Sequence, residues 1–347
     1  MHRGGRPQPG PPHSQLTTRP PVIETTRPRR TLHSPVFVAG RQHSGNTMLA
    51  AALGRIPGVL ACLEEGNYFE EREAIRSLNG RRLAEAVARR IQLNGAPVSD
   101  DARDALARRL TPLADRGTSS DALFVEGIAG VLESEGDVRW VQKATSYVFQ
   151  AERVFGLFPD AKIVFLVRNP LDLAASLKRR GYAGDTVQMV WGWRTGVARA
   201  LRLQMEQPER LRLFRYEDVV QNPADALGEV CQFTDLTFDP AAMEVAHVNR
   251  SEAKYALTSE ASGMTASRVG YYADVLRPAE QQAVRMAAGP LLDRLYPGSG
   301  AVASPLDRIA AGGLLLGGGA RLAVGQLRRV VANPVRTARR TARRLWS

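Results

Sequence analysis

Cysteine, long apolar runs and lysine are all scarce in this chain. Its two cysteines, Cys62 and Cys231, cannot alone build a disulfide framework or a metal cluster. The disulfide-stapled secreted class is therefore excluded, and a reducing cytoplasm is the expected setting. The longest apolar stretch, Ile309 to Ala320, is Gly-rich and about twelve residues long, short of the roughly 20 needed to span a bilayer. The first 34 residues are rich in Pro and lack the apolar segment of a cleavable leader. Only four of the 47 basic residues are lysines, which with the wealth of Ala and Arg reads as the codon bias of a GC-rich genome. With 44% hydrophobic residues in 347, the chain is neither fibrous nor wholly disordered. Its length suits one large α/β domain with appendages, or two small domains.

The 47 basic residues outweigh 35 acids for a formal net charge of +12, the balance of a polyanion binder. By segment the reading changes. Residues 1–34 hold six arginines and one acid, Glu24, and residues 301–347 hold nine arginines and one acid, Asp307, so 35–300 is nearly neutral. From Leu314 apolar residues alternate with Arg, ending in Trp346. A basic helix of this kind fits an anionic membrane surface, at roughly 1 kcal/mol per Arg near the headgroups; a solvated or disordered tail is the alternative. Nucleic acid ranks last as a partner, because no aromatic interleaving or binding motif accompanies the charge. Cytoplasmic localisation with peripheral membrane contact follows as the expectation.

Residues 1–34 predict a disordered Pro/Arg-rich arm. Residues 35–300 read as one domain and 301–347 as a basic amphipathic or disordered tail. Strands are predicted at 36–39, 139–143, 162–167 and 211–216, with helices at 47–54, 149–158, 172–180 and after Pro223, plus a helical insertion over about 70–116. This alternation predicts an α/β fold, a P-loop-like parallel sheet flanked by helices on both faces, with a helical cap and basic terminal extensions.

Between the first strand and helix lies Gly40-Arg41-Gln42-His43-Ser44-Gly45-Asn46-Thr47. A Gly-bounded turn opening a helix directs backbone N–H groups at an anion. Its spacing is that of a nucleotide-binding P-loop, but Asn46 stands where the Lys belongs. Without that point charge on the β/γ-phosphates, triphosphate chemistry is disfavoured; a purely structural Gly turn is the plainer alternative. The strand 162–167 runs into Arg168-Asn169-Pro170 and delivers a guanidinium to the carboxyl edge of the sheet, where ligands of such folds bind. Ser176 on the following helix is placed to add a hydroxyl.

Taken together, VFVAGRQHSGNTML at 36–49, VQKATSYVF at 141–149, FPDAKIVFLVRNPLDLAASLKRR at 158–180 and FRYEDVVQNP at 214–223 resemble PAPS-dependent sulfotransferases, closest in style to bacterial carbohydrate-type and tyrosylprotein-type members. The resemblance covers about 36–300. It implies that Ser44, Gly45, Asn46 and Thr47 cradle the 5′-phosphate and sulfonate of PAPS (3′-phosphoadenylyl sulfate). His43 occupies the position of the usual Arg or Lys, so Arg41 or a protonated His43 is expected to supply the cation. Arg168 and Ser176 match the family's 3′-phosphate element, and Ser267-Arg268-Val269-Gly270-Tyr271 matches the loop closing over it, which adds Arg268 and Gly270. PAP is the expected product, and no metal is expected.

In-line sulfonate transfer requires a cation at the leaving oxygen, a cradle for the sulfonate and a base for the acceptor. Lys143, in Lys-Ala-Thr where the family has a Lys-Thr-Pro-like motif, is assigned leaving-group or sulfonate stabilisation; its alternative is a solvated strand-end Lys. Glu65 is the first choice for the base, with Glu64 second and His43 chemically able. Trp191 and Trp193 read as core packing ahead of an acceptor-groove role, His247 as structural, and Tyr216-Glu217-Asp218 as support for the fold. The acceptor, a carbohydrate, glycolipid or other small molecule bearing a hydroxyl, is expected to meet 66–135 and 181–200. The rivals are a P-loop kinase-like phosphotransferase and a catalytically lapsed nucleotide-binding membrane-associated module.

Overall fold

A computed structural model describes residues 34–91, 100–135, 138–182, 186–245, 264–300 and 302–332. The expected arm (save Ser34), His247 and the end beyond 332 lie outside these residues. Five short strands, β1 (Val36–Ala39), β2 (Val59–Cys62), β3 (Arg139–Lys143), β4 (Lys162–Val167) and β5 (Leu211–Arg215), form one sheet in the order β2-β3-β1-β4-β5. Every pairing is parallel.

Side-chain alternation along β1 divides the core. Val36 and Val38 face one way, against α1 (Asn46–Leu53), α9 (Tyr216–Gln221) and α10 (Pro223–Thr234), while Phe37 and Ala39 face the other. That second face carries α2 (Tyr68–Ile75), α3 (Gly80–Ala88), α4 (Asp100–Asp115), α5 (Ser120–Glu135), α6 (Ala151–Leu157), α7 (Pro170–Arg179) and α8 (Thr186–Glu206). Phe37 anchors it, with its ring centroid 5.4 Å from Trp140, 5.2 Å from Tyr147 and 6.0 Å from Phe158. Phe69 and Phe124 extend this aromatic cluster through edge contacts to Tyr147 and Phe158.

The strand order puts β1 between β3 and β4, with the chain first running out to β2 and back. The crevice at the carboxyl end of β1 is therefore a topological switch point, where such sheets bind ligands. Two sequence expectations are corrected here. β2 went unpredicted because Val59-Leu60-Ala61-Cys62 is only four residues long and half exposed on alternate positions. Glu64 and Glu65 thus follow the carboxyl end of a strand. The helical insertion is also longer than 70–116, since α2 begins at Tyr68 and α5 extends to Glu135.

After α11 (Tyr272–Val275), α12 (Pro278–Ala288) and α13 (Pro290–Leu295) comes the 28-residue α14 (Pro305–Ala332). It packs back onto α8 and α12. Ala311 is fully buried, and Gly318 sits so close to Val187 that a Cβ would collide. The outer face leaves Leu306, Ile309 and Leu316 exposed. Among the described residues no helix is long and apolar enough to cross a membrane.

Because Phe37 is buried at the centre of its cluster, Phe37→Ala should cost about 3–5 kcal/mol. Urea unfolding followed by circular dichroism should show a lowered midpoint at unchanged slope.

Candidate functional site

At the end of β1 the chain turns through Gly40, whose φ of 142° and closeness to the Leu166 carbonyl leave no room for a side chain. The turn is closed by Ser44 N–H donating to Arg41 O at 3.1 Å. Gly45, at φ 92°, brings the chain against Tyr216, whose ring lies 2.7 Å from where a Cβ would stand. α1 then starts with no side-chain cap, so its first N–H groups face the loop. The Asn46 amide turns inward and donates to Gly40 O and Arg41 O, both at 3.1 Å. Its side chain holds the loop's shape. Ser44 is fully buried, and its hydroxyl has no partner among the described residues. A buried donor beside a row of helix-start N–H groups fits a phosphate or sulfonate, and Thr47 lies half-buried in the same first turn.

At the end of β4, Arg168 is 7% exposed. Its guanidinium donates to His43 O at 3.1 Å and Arg268 O at 2.9 Å, and it lies 4.4 Å from the Tyr216 ring centroid and 5.9 Å from that of Tyr271. Arg268 lies 5.5 Å from the Tyr271 ring, the Tyr271 phenol donates to Asp172 O at 2.9 Å, and Ser176 stands close enough to the phenol to lower its pKa. The structure thus gathers Arg168, Ser176 and Arg268 around one tyrosine. Gly270 requires a correction: its N–H donates to Asp172 Oδ2 at 2.9 Å and is not free for an anion. Its role is the turn itself, at φ 74°. Asp172 also accepts from Tyr272 N–H at 3.1 Å.

His43 is corrected as well. It holds a left-handed φ of 70°, and Arg180 donates to its Nδ1 at 3.1 Å. Desolvation by its neighbours, then the charges of Arg180, Arg41 and Arg168, depress its pKa to about 4. The imidazole is neutral at pH 7, so it is neither the expected cation nor an effective base. The arginines hold the positive charge.

Across the crevice, Glu65 and Lys143 meet. Lys143 Nζ lies 3.5 Å from Glu65 Oε1, and Thr145 donates to Glu65 Oε2 at 2.7 Å. Glu65 lines a cavity of about 280 Å³ that also touches Arg41, Ser44, Thr145, Phe165 and Trp193. Glu64 does not line it and lends its carbonyl to Gln142. Of the acids after β2, Glu65 is the one aimed at the loop. Arg41 reaches α8, its guanidinium carbon 3.4 Å from the Cβ position of Gly192.

Sequence reasoning passed over Thr145, Asp172 and Arg180. Thr145 stands in the quoted Lys-Ala-Thr and Asp172 in a first helical turn, where acids are common, so neither carried a distinguishing signal. Trp193 is buried as expected and donates to Arg168 O at 2.9 Å. Glu217, accepting from Asn169 N–H at 2.9 Å and Tyr296 at 3.0 Å, braces the turn after β4.

The family model described as Sulfotransferase family matches residues 35–240. Among solved structures, the chain is similar to the sulfotransferase domain of the Synechococcus PCC 7002 olefin synthase, at 19% identity and a TM-score of 0.54, over 76% of this chain and 95% of that one. The sulfotransferase domain from the curacin biosynthetic pathway aligns at 18% identity and a TM-score of 0.48, over 74% and 97%. Mouse sulfotransferase SULT7A1, solved in complex with PAP, aligns at 13% identity and a TM-score of 0.41, over 81% and 88%. No curated protein sequence matches.

The His43 environment has a pH signature. Its folded pKa of about 4 lies below the 6.5 of a free imidazole, so the unfolded chain takes up the proton first. The stability tied to this group is present above pH 6.5 and is lost as the pH falls toward about 4. An NMR titration should find the imidazole neutral at pH 6; a midpoint at or above 6.5 would refute the three-arginine reading.

Proposed function

The chain belongs to the sulfotransferase family, and from that membership we propose that it moves a sulfonate from PAPS to the hydroxyl of a carbohydrate, glycolipid or other small-molecule acceptor, releasing PAP. The observation that carries this reading is the pairing, at one sheet edge, of two anion-ready positions. Ser44, Gly45, Thr47 and the start of α1 would receive the 5′-phosphosulfate, and Arg168, Arg268 and Ser176 the 3′-phosphate. When bound, PAPS supplies a sulfonate activated on a phosphate leaving group.

The remaining roles fall to this chain's own side chains. Arg41 supplies positive charge at the cavity and Lys143 supplies it beside Glu65. Glu65, oriented by Thr145 and Lys143, takes the acceptor proton at its carboxylate. The phosphotransferase rival loses support from Asn46, whose amide is engaged with two loop carbonyls at the position of the phosphate-binding Lys. The lapsed-module rival loses support from Arg41 and Glu65, which line one cavity, and from Lys143 beside Glu65.

The membrane contact proposed for 301–347 draws support from α14, whose outward Leu306, Ile309 and Leu316 share the helix with the exposed Arg308 and Arg321. Full-length protein should sediment with vesicles of anionic phosphatidylglycerol, and Ile309→Glu with Leu316→Glu should release it. Equal binding to neutral phosphatidylcholine vesicles would refute a charge-guided contact.

Calorimetry should find PAP bound in preference to ATP with Mg²⁺, and the reverse preference would sink the sulfotransferase reading. Glu65→Gln and Lys143→Ala should each lower transfer from labelled PAPS by about 10²-fold or more while leaving PAP affinity within about twofold. Unchanged turnover in both would refute the assigned roles.

A further inference from the structure

The late segment that carries Arg268 is moulded onto one fully buried acid, Asp172, in the first turn of α7. Its two carboxylate oxygens hold different residues: Oδ2 accepts from Gly270 N–H at 2.9 Å and Oδ1 from Tyr272 N–H at 3.1 Å. Between them the Tyr271 phenol donates to the backbone oxygen of the same aspartate at 2.9 Å. Residues 270–272 are thus gripped by three oxygens of one residue nearly a hundred positions earlier. Because both side-chain oxygens accept, the acid is held as a carboxylate. Burying such a charge is unfavourable unless donors and an opposite charge meet it, and here the charge of Arg168 adds to the two loop N–H groups.

An acid is an unfavourable neighbour for residues assigned to an anion, since like charges repel. Its placement is explained by what it holds. Arg268 stands two residues before Gly270, gives its carbonyl to Arg168 and lies 5.5 Å from the Tyr271 ring. Ser176 follows Asp172 by one turn of α7. Asp172 therefore sets where Arg268 sits relative to Arg168 and Ser176. An asparagine of the same size would not serve, because its amide accepts at one atom only and would aim an NH₂ group at the second N–H. Resting on the sulfonate-transfer reading above, we propose that Asp172 is a positioning residue for donor specificity: without touching the ligand it holds Arg268 beside Arg168 and Ser176, so that a nucleotide phosphorylated at both 3′ and 5′ is preferred over one with the 5′-phosphate alone.

The test is calorimetry of the full chain with PAP and with AMP, which lacks the 3′-phosphate. Wild-type protein should bind PAP about tenfold or more tightly than AMP, through the added charge-assisted hydrogen bonds. Asp172→Asn should weaken PAP binding by about tenfold and leave AMP within about twofold, because the lost bonds act on one end of the nucleotide. The amides of Gly270 and Tyr272 should be protected from hydrogen exchange in the wild type and exchange about tenfold faster in this variant. Tyr271→Phe keeps the ring beside Arg168 and Arg268 and removes only the phenol bond. It should lower the ratio of PAP to AMP affinity by about threefold, which keeps the role testable if the asparagine variant misfolds. Equal affinity of the wild type for PAP and AMP, a parallel loss of both ligands in folded Asp172→Asn, or a ratio unmoved in the variants that fold would each overturn the positioning role. Failure of the wild type to bind PAP would overturn the sulfonate-transfer reading beneath it.

Discussion

The Arg168 guanidinium is the tie on which the site depends. Through one side chain the end of β4 is joined to the loop at His43 O and to the late segment at Arg268 O, with Tyr216 and Tyr271 against its faces. Its backbone oxygen receives the Trp193 indole and so fixes α8 as well. Three chain segments therefore take their positions from one buried cation, and a fourth from the backbone that carries it. A planar, always-charged group with five donors suits that task, and Lys would not replace it. Desolvation, reinforced by the positive charge gathered at the crevice, keeps His43 neutral.

How much of this was legible in the sequence follows from the range of the interactions. β4 was plain because six consecutive strand residues leading to Arg-Asn-Pro carry both their structure and their direction. The loop at 40–47 was plain for a similar local reason, its glycines bounding a strand-to-helix turn. β2 was not, since a four-residue strand half open to solvent has too few positions to display a period. The charge state of His43 was illegible because it is set first by desolvation in the folded crevice and then by charges that include Arg180 and Arg168, more than a hundred residues away. Gly270 was misread for the same reason: its N–H is claimed by Asp172, nearly a hundred residues earlier.

Length gives little idea of where the specificity resides. The helical insertion between β2 and β3 supplies much of the core on one face, yet the cavity beside Glu65 is walled chiefly by α8 and the turn after β3. The excess charge of the chain likewise lies outside the chemistry. It sits at the two ends, while the site works with a few placed groups.

Asn46 holds the loop by two hydrogen bonds to carbonyls of the loop itself. The entropy of ordering that turn is therefore met when the protein folds and is not charged again to each binding event. A loop built this way has no closing step to wait for. Its encounter with an anionic ligand is timed by diffusion and by the field of the surrounding arginines, and the rate should fall with ionic strength more steeply than a conformational step would allow.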